Sequence, residues 1–401
     1  MDPRQTRSSA RNPRLLTAGA AGLLLLAITA IAALALANPR LPGAPRPGAS
    51  PSPSASPSLP LPSVGALRRA AGLTGPRGSV VTGVATDGTR LVAVGFDGTN
   101  GALIWTSTDG DAWSPATGDG SARASIASVA YGDGRWVAVG RDLTDIEQDL
   151  GAAWLSTDGS TWRRITSPAF DGAQLVSITA AGTGFVAVGT LLEGVDAAAA
   201  WTTSDGETWT LAPVTRDLEH SFMWSVTTGG PGLVATGWTR DPEPTAAFWT
   251  SRDGLAWARA PLPMGGTGFQ GRAVLDLGGS LVAVGDRVEG GAAALWISTD
   301  ARSWTPLDPG PGGSGAFLTA LARVPGGVVA AGGQGIDAAA WTSPDGTTWS
   351  SLPTSDAVRG AYVTSAVALS DRLVVAGASQ RQIPDTNSFE QTAAIWVASL
   401  E

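Results

Sequence analysis

The strongest constraint on this chain is a pair of tryptophans, eight residues apart, that returns along most of its length. The first member stands at Trp105, Trp154, Trp201, Trp249, Trp296, Trp341 and Trp396, at steps of 45–55 residues. The second stands at Trp113, Trp162, Trp209, Trp257, Trp304 and Trp349, so 13 of the 16 tryptophans occupy equivalent positions. A period of this size marks a solenoid, a propeller or an array, in which one supersecondary unit is stacked on copies of itself.

Each unit divides into four short strands, A to D. Strand A reads like SVVTGVA (79–85) and a Gly-rich turn follows. Strand B is LVAVG, WVAVG, FVAVG, LVATG, LVAVG, VVAAG and LVVAG in successive units. Strand C reads like AALWIS (293–298), and a tight Asp-Gly turn leads to strand D at the second Trp. Short β-rich runs with turn signals at this spacing predict all-β structure. Strand B is apolar at successive positions, so both of its faces must be covered, as in a blade between two others. The expected fold is all-β, a seven-bladed β-propeller over 64–401. The seventh unit holds A (361–368), B (372–377) and C (392–398), and Glu401 follows before any strand D. Residues 66–70, ALRRA, resemble 161–165, TWRRI, the second unit's strand D. Residues 65–71 are therefore expected to complete the last blade and remove two exposed edges.

The C–D turns carry Ser/Thr-x-Asp-Gly-x-x-Trp, with carboxylates at Asp109, Asp158, Asp205, Asp253, Asp300 and Asp345; the fifth copy has Ala301 for Gly. This motif resembles the Asp box, or bacterial neuraminidase repeat, over residues 79–401, with one residue fewer between Asp and Gly than that family usually has. The resemblance implies the propeller fold and little about activity, since its families include sialidases, xyloglucan-type glycosidases, sortilin-like receptors and a photosystem II assembly factor. The motif's physics is structural: Asp accepts hydrogen bonds from its own turn, Gly permits positive φ, and Trp supplies an apolar plate. Six like carboxylates do not make the unlike pair that acid–base catalysis requires.

Ahead of the repeats, residues 1–14 carry four arginines and read as a cytoplasmic tail. Residues 15–37 are uncharged. At 1.5 Å per residue they reach about 34 Å, enough to cross a hydrocarbon core of about 30 Å. The arginine distribution places the N-terminus in the cytoplasm and the propeller outside, on a single-pass cell-membrane anchor. Ala35-Leu36-Ala37 also fits a signal-peptide cleavage site, which would secrete the domain instead. Residues 38–63, rich in Pro and Ser, read as an extended linker.

The formal net charge of −8, with every basic residue an arginine, argues against nucleic acid, which needs a basic footprint. Cys is absent and His220 is the one histidine, so thiol chemistry and multi-His metal sites are excluded within one chain. No cofactor is expected. Asp142, Asp145, Glu147 and Asp149 are oxygen donors in one loop that could take Ca²⁺, although a solvated acidic loop explains them as well.

Strand order puts the A–B and C–D turns on one face and the variable B–C and D–A connections on the other. A binding face is expected at the second. Its mouth is read from the residue after each strand-B Gly, which includes Arg141, Trp238 and Asp286. Arg240 in a B–C loop, Arg359 in a D–A connection, and Tyr362 and Trp224 on strands A join them. Arg123, Arg216, His220 and Arg272 are also assigned to D–A connections. An aromatic beside charged groups suits a sugar or peptide. The expected function is a non-enzymatic recognition or scaffold module, monomeric, for a protein or glycan. A glycoside hydrolase is the alternative, with Tyr362 near Arg359 as a sialidase-like nucleophile. An assembly factor for a membrane complex is the third.

Overall fold

The computed structural model describes residues 60–401 apart from 74, 100, 119–120, 145–149, 193–195, 290–291, 308–310, 314, 354 and 385–388. The tail, the span 15–37 and most of the linker lie outside the described residues. Among the described residues no helix is long and apolar enough to cross a membrane.

Seven antiparallel sheets form seven blades, each in the order A-B-C-D. Blade 1 is Val80–Thr86, Leu91–Phe96, Ala102–Ser107 and Ser114–Pro115; blade 5 is Phe269–Asp276, Leu281–Arg287, Ala293–Ser298 and Thr305–Pro306. Blade 2 gains a fifth strand, Thr117–Gly118, parallel to its strand D, Thr161–Ile165. Strand B of blade 1 is buried at all six positions, as its unbroken apolar run requires.

The core is divided among the gaps between adjacent blades. Between blades 6 and 7 it holds Ala331, Ala340, Val363, Val375 and Trp396. Radiating blades diverge outward, so small residues suit the inner strands and Trp fills the wider part of the wedge.

The last blade is closed by the other end of the chain. Arg68–Arg69 pairs antiparallel with Phe389–Ser399, Arg68 opposite Val397 and Arg69 opposite Trp396. Arg163 and Arg164 face Leu155 and Trp154 in the same register in blade 2. Leu67 is buried against blade 7, and the Gly65 amide donates to the Ser399 carbonyl at 2.9 Å.

On the C–D face each box is a closed hydrogen-bonded turn. Gly110 N donates to Ser107 Oγ at 2.8 Å, which itself donates to Asp109 Oδ1 at 3.0 Å. That oxygen accepts the amides of Asp111 and Ala112, and Trp113 Nε1 donates to the Gly110 carbonyl. The pattern recurs at Asp158, Asp205, Asp253, Asp300 and Asp345, so all six carboxylates are engaged by their own turns. Arginines of the A–B turns tie this face together: Arg90 donates to the Asp158 carbonyl, Arg135 to that of Asp205, and Arg372 to that of Asp109.

Candidate functional site

Every strand A carries a bulge near its start. The register skips one residue in each blade: Thr82, Ala127, Val176, Trp224, Arg272, Thr319 and Thr364. The cause is legible in strand B. Its recurring glycine lies opposite the bulge, where an added Cβ would sit 1.9–2.1 Å from a strand-A carbonyl oxygen in all seven blades. Only Gly admits that approach.

Because strand A is innermost, the seven bulge residues ring the central channel. They line both a cavity of about 170 Å³ on the B–C/D–A side and a second, serine-rich pocket on the other. Three of the seven are threonines whose hydroxyls reach the next blade. Thr82 donates to the Ile126 carbonyl at 2.6 Å, Thr319 to that of Val363 at 2.7 Å, and Thr364 to that of Val81 at 2.6 Å. These bonds run from blade 6 through 7 and 1 to 2, across the closure.

Arg272 is the one charged residue in the ring. Its Nε donates to Asp286 Oδ1 at 2.8 Å, and its guanidinium lies 5.5 Å from the centroid of the Trp224 ring. Asp286 is 1% exposed and sits behind Arg272 rather than in the cavity wall. The opposite wall is apolar: Phe317, Ile336, Ala361, Tyr362 and Val363. Gln380 completes it, its Nε2 buried without a hydrogen-bond partner. The described lining contains no carboxylate.

The mouth predicted from the residue after each strand-B Gly is therefore corrected. Those residues lie one strand further out, and none of them lines the cavity. Trp224, Asp286 and Tyr362 come together around it, Asp286 through Arg272. Trp238 instead stacks on Phe222, ring centroids 5.0 Å apart, and the Arg240 guanidinium covers both rings. Arg240 also pairs with Asp196 at 3.3 Å. Arg141 is half-buried on strand B of blade 2 and outside the lining. Arg359 is exposed, pairs with Asp356 at 3.1 Å, and is outside the lining that contains Tyr362. Arg272 belongs to strand A and not to a D–A connection; its signal in the sequence was its place opposite the strand-B Gly. Tyr362 does not have the setting of a nucleophile. Its hydroxyl donates to Gln391 Oε1 at 3.1 Å, and burial pushes the phenol above its ordinary range. His220 lies with Asp217, Glu219, Asp241 and Arg259 in a separate cleft.

In the acidic loop, Asp142 is held by Arg164 at 2.5 Å and by the Thr144 amide at 2.8 Å. Asp145, Glu147 and Asp149 lie outside the described residues.

No family model and no curated protein matches the chain. Among solved structures it is similar to the WD40 β-propeller domain of Doa1, with 12% identity, 82% of this chain and 96% of that one covered, and a TM-score of 0.51. It is also similar to phage phi92 endosialidase (10% identity, 84% and 69% covered, TM-score 0.49). A third is Trypanosoma rangeli sialidase in complex with the inhibitor DANA (13% identity, 72% and 56% covered, TM-score 0.46). At these identities the likeness is one of fold, and fold alone does not assign a function.

Proposed function

We propose that this chain is a non-enzymatic recognition module that captures a protein or glycan at the channel mouth on its B–C/D–A face. The observation that carries the proposal is the lining of the cavity. It combines one fixed cation, one aromatic plate and an apolar wall, which is the make-up of a binding pocket. Glycoside hydrolysis by the usual route needs two carboxyl groups flanking the bond, and the described lining supplies none. The uncharged segment 15–37 holds the propeller at the cell membrane in this proposal, with the Pro/Ser-rich linker as a stalk.

Affinity capture with wild-type protein and with Trp224→Ala tests it. Loss of the enriched partner in the variant, with an unchanged melting temperature, is expected. Equal capture by both proteins places recognition elsewhere and overturns the proposal.

A further inference from the structure

The channel mouth is built from unlike halves. On one side stands Arg272. Arginine has five N–H donors, and the hydrogen bond that Arg272 makes among the described residues uses Nε alone. The two terminal nitrogens remain for a second acceptor. The guanidinium is held by a buried carboxylate and by the Trp224 face, so a ligand meets it already oriented. Its side chain is 14% exposed, which leaves it reachable from the cavity. On the other side Phe317, Ile336 and Tyr362 present apolar surface. Gln380 adds an amide donor without a partner, and turning it toward an incoming acceptor recovers a lost hydrogen bond.

Donor geometry and size then select the ligand. Asp286 already balances the charge of Arg272, so selection rests on the remaining terminal N–H donors, and a planar guanidinium favours carboxylate geometry. An apolar cavity of about 150 Å³ holds a benzene-sized group, and this one is about 170 Å³. The part of a ligand that enters it is therefore about the size of one side chain or one short acyl group. We infer that the cavity binds a carboxylate joined to an apolar body of single-side-chain size, with the carboxylate on Arg272 and the body against Phe317 and Ile336. A peptide's C-terminal residue and a free small acid share that chemistry. The inference rests on the channel mouth being the recognition site, and it names what enters it.

The test is titration calorimetry on the full chain with N-acetyl-leucine and its neutral analogue N-acetyl-leucinamide. The acid is expected to bind about tenfold or more tightly than the amide, as a charge-assisted contact predicts. Arg272→Gln combined with Asp286→Asn removes both charges while leaving a hydrogen-bonding pair, and avoids stranding a buried carboxylate. It is expected to abolish the preference for acid over amide. Ile336→Glu, at an exposed position, is expected to weaken the acid several-fold and leave the melting temperature unchanged. A tetrapeptide ending in leucine and hexanoate separate the two sources, and tight binding of either supports the shared chemistry. Equal affinity for acid and amide, or an acid preference that survives R272Q/D286N, overturns the inference. No binding of any probe, while partner capture still depends on Trp224, overturns the inference alone and leaves the recognition role standing.

Discussion

At the fifth box an alanine stands where five others carry glycine, and it adopts the same left-handed backbone. Ala301 has φ of 59°, beside 71–80° for the five glycines. That conformation costs an L-residue roughly 1–2 kcal/mol. Replacing Ala301 with Gly removes the strain but loses a buried methyl and loosens the unfolded chain. The expected net effect is a stabilisation of about 0.5–1 kcal/mol, read as a higher urea midpoint. The box carboxylates carry a second residue-scale consequence. The backbone amides of Thr208 and Glu207 hold Asp205 down to about 2, and those of Ser303 and Arg302 do the same for Asp300. The Thr161 amide takes Asp158 lower still. A depressed folded-state pKa contributes stability above the ordinary value near 3.8, and that stability is lost as pH falls through the folded value. The urea midpoint is therefore expected to drop steeply between pH 4 and pH 2. Asp205→Asn should lower the midpoint at neutral pH and make it less sensitive to acid in that window.

Two features of individual strands decide whether the ring closes. One is the strand-B glycine. A Cβ at Gly237 would meet the Phe222 carbonyl oxygen at 1.9 Å, whereas one at Gly279, in the A–B turn of blade 5, meets nothing within 4 Å. Gly237→Ala is expected to cost about 1–3 kcal/mol or more through overpacking, and Gly279→Ala to be close to neutral. Equal unfolding midpoints for the two variants would remove the bulge from the explanation. The other feature is the closing strand. Its apolar anchor is Leu67, 5% exposed in the gap between blades 6 and 7. Leu67→Ala is expected to lose about 2–5 kcal/mol. Its cooperative unfolding midpoint should fall accordingly. Arg68 and Arg69, both exposed on the same strand, should tolerate alanine far better.

For the whole molecule, the channel and the membrane are separate questions. The channel follows from the ring, since seven strands A meet only around the axis. The proposed attachment rests on residues 15–37. If the span is retained, alkaline washing leaves the chain in the membrane pellet, and protease added outside releases a fragment close to the propeller in size. Recovery of the chain in the medium, with an N-terminus at Asn38, would show cleavage instead.

The repeat period, the apolar strand B, the blade count and the closing register were all legible in the residues. They depend on local periodicity and on the likeness of one unit to the next. ALRRA could be matched to TWRRI without knowing where either strand lay. The boxes were legible for the same reason, because each turn satisfies itself within seven residues. The site was only partly so. Strand order does place a cavity wall on the B–C/D–A side, and Trp224, Asp286 and Tyr362 gather around it. Which side chains enter the channel depends on the bulge, which shifts one strand-A residue per blade out of the ladder and hands the inner surface to strand A. That shift placed Arg272 on the channel wall, put Asp286 behind it, and left Trp238 stacked on Phe222 outside the lining. The sequence by itself determined the blades and their order, because those rest on contacts within a repeat. The tertiary structure alone decided the composition of the channel mouth, because seven residues spread over almost the whole propeller become neighbours only when the ring is closed.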